Sequence, residues 1–124
     1  MHVINSYAPG ANNWNPGHRG VDLEADYGAP IYAATSGTVI YAGTLNDREL
    51  VSIEDKRGIR TTYEPVAPSV ATGDAVKQGQ QIGSIAGYHC GPAQPCLHWG
   101  AKRGSDHYLN PLWLLHPPHV RLIE

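Results

Sequence analysis

Three side chains of the types that bind zinc lie in glycine-flanked segments near the two ends of the chain: His18, Asp22 and His98. Zinc takes imidazole nitrogen and carboxylate oxygen, and a catalytic zinc has three protein ligands and an open fourth position. These residues therefore predict a zinc site at which bound water is activated and a carbonyl is polarised. The fold must assemble this site, because most of the chain separates the two histidines.

The other histidines carry a plainer interpretation. The chain has seven histidines, and ligand-like spacings also occur by chance. We expect His2, His107, His116 and His119 to be ordinary surface or core residues, with at most adventitious metal binding by the last two.

The strand around the second histidine has a period that separates two faces. In a strand, successive side chains point to opposite sides. Cys96 and His98 should therefore share the site face, whereas Leu97 and Trp99 should pack into the core.

Short β-prone segments bounded by glycine, proline and turn residues follow one another along the chain. Segment 17–22 favours a loop entering a strand, and further strands are predicted at 30–34, 37–43, 50–54, 59–64, 81–85 and 96–101. Helical periodicity is weak everywhere, and only 110–115, with Pro111 in its first turn, predicts a short helix. The pattern predicts an all-β fold, either an antiparallel sandwich or a partly closed barrel, with little helix.

The bulk composition limits the class of protein. A chain of 124 residues fits one domain, and an apolar fraction of 41% with 16% charged residues argues against disorder. A net charge of −2 gives no basic footprint for nucleic acid. No apolar run reaches the length of a membrane span. Met1 leads directly into polar sequence with no visible secretory signal, so we expect the domain to come from a longer secreted or anchored protein.

Two cysteines, Cys90 and Cys96, flank a loop of five residues. In a cytosolic protein such a pair would be thiols or metal ligands, and in an exported protein it would form a disulfide. The spacing alone leaves both alternatives open.

The ordered set of motifs resembles the lysostaphin-like, or LytM-type, zinc metallopeptidases that act on bacterial cell walls. The matching motifs are His-x-x-x-Asp at 18–22, Gly-Ala-Pro-Ile-Tyr-Ala-Ala at 28–34, Gly-Thr-Val at 37–39, the glycine-rich segment 73–83, the His98 strand and Asn-Pro-Leu at 110–112. The pattern at 73–83 also occurs in lipoyl-type sandwich folds, so by itself it indicates only a fold. The resemblance implies a LytM-type, lipoyl-like barrel-sandwich domain over 17–115, with a lead-in at 1–16 and an extended tail at 116–124.

The same resemblance implies function and location. It makes His18, Asp22 and His98 the ligands of Zn²⁺ and a peptidoglycan peptide the substrate. It also implies an extracytoplasmic location, in the bacterial cell envelope or secreted. At such a location we expect Cys90 and Cys96 to form a disulfide.

The chain departs from the family pattern at two histidines that do not bind metal. Cys96 stands where a His-x-His strand normally begins, and Pro65 stands where a histidine normally follows a Tyr-x pair. A positioned acid or base usually contributes on the order of 10²–10⁴ in rate, so we expect weak or no turnover. Glu64 and His89 are the candidate replacements for proton transfer, and His107 is a weaker one, although a solvated side chain is the plainer interpretation of each.

Two functions follow from this mixture of features. The first is a zinc endopeptidase that cuts peptidoglycan, with Glu64 or His89 handling protons. The second is a catalytically inactive module that keeps zinc and binds the cell wall, or regulates a partner wall hydrolase or divisome protein. The intact ligands favour the first and the missing histidines favour the second. A lipoyl-like carrier is disfavoured, because no lysine occupies the expected tight turn.

Overall fold

The computed structural model describes residues 3–5, 20–87, 95–104 and 107–114. Strands dominate these residues, and only one turn of 3₁₀ helix accompanies them. The elements in chain order are β1 (Val3–Asn5), β2 (Gly20–Glu24), β3 (Pro30–Tyr32), β4 (Gly37–Leu45), β5 (Arg48–Glu54), β6 (Ile59–Glu64), β7 (Val66–Pro68), β8 (Ala75–Val76), β9 (Gln81–Ile85), β10 (Cys96–Arg103), β11 (His107–Leu109) and the 3₁₀ turn η1 (Pro111–Leu114).

These strands form two antiparallel sheets. The larger has eight strands in the order β1-β2-β10-β6-β5-β4-β8, with β11 paired to β10. The smaller has the order β3-β9-β7. The predicted all-β antiparallel fold with little helix is confirmed, and over the described residues neither sheet closes into a barrel. Within the same part of the chain, no helix is long and apolar enough to cross a bilayer.

The core lies between the sheets and follows the predicted alternation of β10. Leu97 and Trp99 are fully buried. The Trp99 ring stacks on Tyr63 of β6, with ring centroids 6.5 Å apart and an interplanar angle of 16°. The largest remaining fully buried side chains are Leu23, Ile31, Ile53, Ile82 and Ile85. Strand β10 is therefore fixed from its core side by aromatic and aliphatic packing.

The Tyr63 hydroxyl connects the two sheets. It accepts a hydrogen bond from the backbone N–H of Ala34, just after β3, at 3.0 Å. It also accepts one from the Thr61 hydroxyl, at 3.0 Å. Complete burial raises the pKa of Tyr63, so the hydroxyl stays protonated.

Removing this hydroxyl should destabilise the domain. In Tyr63→Phe the N–H of Ala34 and the Thr61 hydroxyl lose a buried partner, so we expect a loss of about 1–3 kcal/mol in the free energy of unfolding. Urea denaturation is the measurement. Tyr41→Phe is the matched control, because its exposed hydroxyl donates to the Thr44 carbonyl, which water can solvate instead. Equal losses in the two variants would contradict the role given to Tyr63.

The chain changes sheets at Pro65. Strand β6 of the large sheet ends immediately before Pro65, and β7 of the small sheet begins immediately after it. Pro68 forms the end of β7. Among the described strands β7 pairs only with β9, and an edge strand tolerates the missing N–H of proline.

The first residues of the chain contribute to the large sheet. Strand β1 lies within the segment expected as a lead-in and pairs antiparallel with β2, with Val3 opposite Leu23 and Asn5 opposite Asp22. The edge of the sheet beside the predicted metal ligands is therefore covered by a strand from the start of the chain.

Candidate metal site

Adjacent strands bring two of the predicted zinc ligands together. Asp22 of β2 and His98 of β10 are opposite each other in the antiparallel register, so their side chains share a face of the large sheet. The Nδ1–H of His98 donates to Oδ1 of Asp22 across 2.7 Å. The side chain of Asp22 is 5% exposed and that of His98 is 22% exposed. The imidazole can therefore still be reached from solvent, whereas the carboxylate is enclosed.

A glycine makes room for this imidazole. Gly20 lies two residues before Asp22 on the same face of β2. A Cβ atom at this position would lie 2.9 Å from both Cε1 and Nε2 of His98, and 2.7 Å from the carbonyl oxygen of Trp99. In the sequence, Gly20 belongs to the segment 17–22 that favours a loop entering a strand. The structure gives it a steric role, because the His98 ring occupies the space of the missing side chain.

Adding that side chain should disturb both the site and the fold. Gly20→Ala forces the His98 ring and the β10 backbone away, and overpacking of this kind usually costs about 1–3 kcal/mol. Thermal unfolding checks the loss of stability, and zinc titration checks the displaced ring. Gly87→Ala is the matched control, because the nearest heavy atom to its new Cβ would be Cγ of Pro65, 4.0 Å away. A fully stable Gly20→Ala variant with unchanged zinc affinity would contradict the crowding argument.

Glu64 lies on the other side of the same histidine. It is the register partner of His98 on β6, so a single row across three strands carries Asp22, His98 and Glu64 on one face. The Glu64 side chain is 12% exposed, and its Oε1 accepts a hydrogen bond from Nη1 of Arg48 at 3.4 Å. Sequence reasoning missed Arg48, which begins β5 and belongs to no motif. The structure thus brings the candidate base to the site face with its charge partly compensated.

Two further candidates are placed less favourably. Cys96 is fully buried, and none of the described cysteines has a free thiol. Cys96 is therefore not available as a free thiolate ligand. His107 is exposed at the start of β11 and lies opposite Arg103, five residues along β10 from His98 and therefore about 17 Å away. The structure does not bring His107 to the candidate site.

Three predicted residues, His18, His89 and Cys90, fall outside the described part of the chain. The third zinc ligand, one proton-transfer candidate and one half of the disulfide therefore stay predictions. Within the described ranges no group of three potential ligands is assembled. The two predicted ligands that are described, Asp22 and His98, do fit zinc, because a carboxylate oxygen and an imidazole nitrogen are donors that zinc accepts.

Comparison with known proteins identifies the family of this chain. A family model described as Peptidase family M23 matches residues 16–111. An uncharacterized protein of Mycobacterium tuberculosis is 45% identical over 124 residues, covering 97% of this chain and 50% of that protein. The chain therefore spans about half the length of the curated relatives that it matches.

Solved structures share the fold. The catalytic domain of the antimicrobial peptidase lysostaphin from Staphylococcus simulans has a TM-score of 0.72 and 28% identity, with 94% of this chain and 90% of that chain covered. A zinc containing peptidase from Vibrio cholerae has a TM-score of 0.63 and 26% identity, with 82% of this chain and 33% of that chain covered. The resemblance to lysostaphin-like peptidases and the corresponding fold are thereby confirmed.

Proposed function

Because the chain belongs to peptidase family M23, we propose that it is a zinc-binding, peptidoglycan-directed metalloendopeptidase domain with weak or no turnover. The observation that carries the proposal is the Asp22–His98 pair, with Gly20 leaving room for the imidazole. His18 would supply the third ligand. The names of the lysostaphin catalytic domain and of the zinc containing peptidase support both the metal and the reaction class.

The residues of the pair have separate tasks in this proposal. Asp22 would supply an enclosed anionic oxygen, and His98 would supply Nδ1 once the hydrogen bond between them is replaced by metal ligation. Zinc held there would lower the pKa of bound water and polarise the scissile carbonyl. Strand pairing fixes both backbones, so little rearrangement is needed to present the two donors to the same ion.

Proton transfer is the weak part of the proposed site. Pro65 has no titratable group, and the buried Cys96 offers no free thiol. Glu64 is the described group best placed to accept a proton, because it lies directly across from His98. The Arg48 guanidinium occupies one oxygen of this carboxylate, with Nη1 of Arg48 3.4 Å from Oε1 of Glu64. We therefore propose impaired catalysis, with Glu64 and His89 as the candidate proton-transfer residues.

The same losses favour one alternative function. A domain that keeps its metal ligands but has Pro65 and Cys96 in place of histidines would suit an inactive module that binds the wall or regulates a partner hydrolase. Both versions of the proposal place a domain over 17–115, after a lead-in and before a tail, outside the bacterial cytoplasm. They differ in whether the domain cleaves the wall itself or only binds it or regulates a partner hydrolase.

Purified cell-wall material tests these alternatives. The wild-type domain loaded with zinc would be incubated with insoluble peptidoglycan, and released amines and co-sedimented protein would both be measured. We expect co-sedimentation with slow, chelator-sensitive release. Binding without release would support the inactive module, whereas neither binding nor release from any wall preparation would contradict both.

A thiol titration tests the proposed Cys90–Cys96 disulfide. We expect no free thiol in unreduced, denatured protein and two after reduction. By the loop-entropy relation, so short a ring stabilises the fold by roughly 2–2.5 kcal/mol, so reduction should also lower the melting temperature. Two free thiols after oxidative refolding would contradict the pairing and reopen Cys96 as a metal ligand.

A further inference from the structure

A second concave site lies at the opposite end of the large sheet from the Asp22–His98 pair. This cavity of about 960 Å³ is bordered by the loop between β3 and β4, by the β5–β6 turn at 55–58 and by η1. The β5–β6 turn directly precedes Ile59, which lies opposite Arg103 at the far end of β10. Five residues along β10 separate Arg103 from His98, a distance of about 17 Å.

An aromatic ring is held at the edge of this cavity by an anchored turn. Trp113 lines the cavity and is 74% exposed. Its neighbours Leu112 and Leu114 pack against the core. The carbonyl of Asn110 accepts from the N–H of Trp113 at 3.1 Å, and the Asn110 side chain accepts from the N–H of Leu112 at 3.1 Å. The backbone is therefore fixed while the indole face is left open to a ligand.

The cavity wall is rich in hydroxyl and amide groups. Thr35, Ser36, Thr38 and Gln78 line it. Thr35 is only 7% exposed, and its buried Oγ1 has no hydrogen-bond partner within the described residues. An unpaired buried hydroxyl is unfavourable. A polar ligand that reached Thr35 would supply the missing partner once the side chain turned toward the cavity.

The charges around the cavity cancel. Two acidic residues, Glu54 and Asp55, and two basic residues, Lys56 and Arg57, line it. Nε and Nη2 of Arg57 donate to Oδ2 of Asp55 at 3.0 and 2.7 Å. Burial alone would raise the pKa of Asp55, but these hydrogen bonds, together with those from the N–H groups of Arg57 and Ile59, hold it below its usual range. The pair stays charged and mutually satisfied, so the wall favours a neutral ligand.

From this combination we infer that the cavity binds a saccharide, with one sugar ring stacked on Trp113 and its hydroxyls hydrogen-bonded to the threonine, serine and glutamine side chains. A neutral sugar has an apolar face that can stack on an indole and a polar edge that can hydrogen-bond to hydroxyl and amide groups. It has no net charge, as the cancelled charges of the cavity wall require. The ligand class rests on the proposed function, because the glycan strand is the sugar part of the same wall polymer. Nothing in the inference requires peptide cleavage.

The two sites are arranged so that one polymer could reach both. Glu54 of β5 is opposite Arg60 of β6. Every second side chain of a strand points to the same face, so residues 60, 62 and 64 of β6 share one face. Glu64 in turn shares its face with His98. The edge of the cavity and the metal-ligand pair therefore lie on one face of the sheet, so a glycan held at Trp113 could carry its attached peptide toward His98.

Titration with a neutral β-1,4-linked N-acetylglucosamine tetramer tests this inference, with the indole N–H and backbone amide signals in NMR spectra as the readout. We expect the signal that Trp113→Ala removes to shift and saturate in the wild type. Loss of the stacking ring should weaken binding about tenfold or more, and Thr35→Val should weaken it to a smaller extent. Tyr27→Ala removes another exposed aromatic side chain, 65% exposed and outside the cavity, and should leave the affinity unchanged.

Other results would overturn the inference. A tetramer that produces no saturable shift, or that binds the wild type and Trp113→Ala equally, excludes the saccharide site. So does a shift of the Trp113 signal by a wall stem peptide but not by the tetramer. Zinc content and peptide cleavage are measured on the same samples, so failure of the proposed peptidase function appears separately as loss of those signals.

Discussion

Replacing His98 with alanine should reduce bound zinc from about one ion per chain to a small fraction of that. The substitution removes one of three proposed ligands and the hydrogen bond that this ligand makes to the enclosed Asp22 carboxylate. Loss of a residue that merely orients a ligand costs 10–100-fold in metal affinity, so we expect loss of a direct ligand to cost at least about 100-fold. Metal analysis after dialysis against a weak chelator is the measurement. It should be made in a background lacking His116 and His119, which could bind zinc adventitiously.

Two comparisons make this result interpretable. His107→Ala removes an exposed imidazole about 17 Å along the sheet and should leave zinc content unchanged. Asp22→Asn retains the shape of the side chain, so zinc loss there with an unchanged melting temperature of the metal-free protein separates ligand loss from unfolding. Full zinc content in both His98→Ala and Asp22→Asn would overturn the ligand assignment.

Peptidoglycan hydrolysis by the wild-type domain should be slower, by roughly 10²–10⁴, than that of a family member with histidines at the positions of Pro65 and Cys96. That range is the usual contribution of one positioned acid or base, and losses of groups that act together do not simply multiply. Zinc activation of water would survive, but protonation of the leaving amine would be poor. Initial rates of amine release at equal zinc occupancy are the measurement.

Substituting each candidate residue would identify the group that replaces the missing histidines as a base. If residual turnover depends on Glu64, Glu64→Gln should abolish it and leave bound zinc unchanged. His89→Ala makes the same test of the other candidate. Glu24→Gln neutralises an exposed carboxylate at the end of β2 and should have little effect. Rapid zinc-dependent cleavage by the wild type would contradict the expectation of impaired catalysis.

The local features of the fold were predictable because they depend on short-range periodicity. Alternation in β10 placed Leu97 and Trp99 in the core, and turn residues located most of the larger strands. Strands β1, β7, β8 and β11 were missed, since each has only two or three residues and exists through pairing with a longer neighbour. The change of sheet at Pro65 was also not predictable, because it depends on which sheet the following segment joins.

The site was predictable as a set of residue types but not as a contact network. The motifs gave Asp22 and His98, which the structure places 2.7 Å apart. The motifs did not indicate Arg48, because a single basic residue at a hairpin forms no recognisable pattern. Its contact with Glu64 also depends on the pairing of β5 with β6, which the motifs do not reveal. The exposure of Trp113 depends on how η1 packs against the core, and local sequence patterns do not determine that packing.

The adjacency of β2 and β10 has a consequence for how the domain would acquire the proposed zinc. Asp22 and His98 are 76 residues apart in the chain, so a ribosome adds the aspartate long before the histidine. A nascent chain cannot hold the ion through both, and the pair forms only when β10 inserts between β2 and β6. Zinc that binds the folded state alone adds stability that grows with metal concentration. Metal supply would then govern how long a newly made domain survives proteolysis.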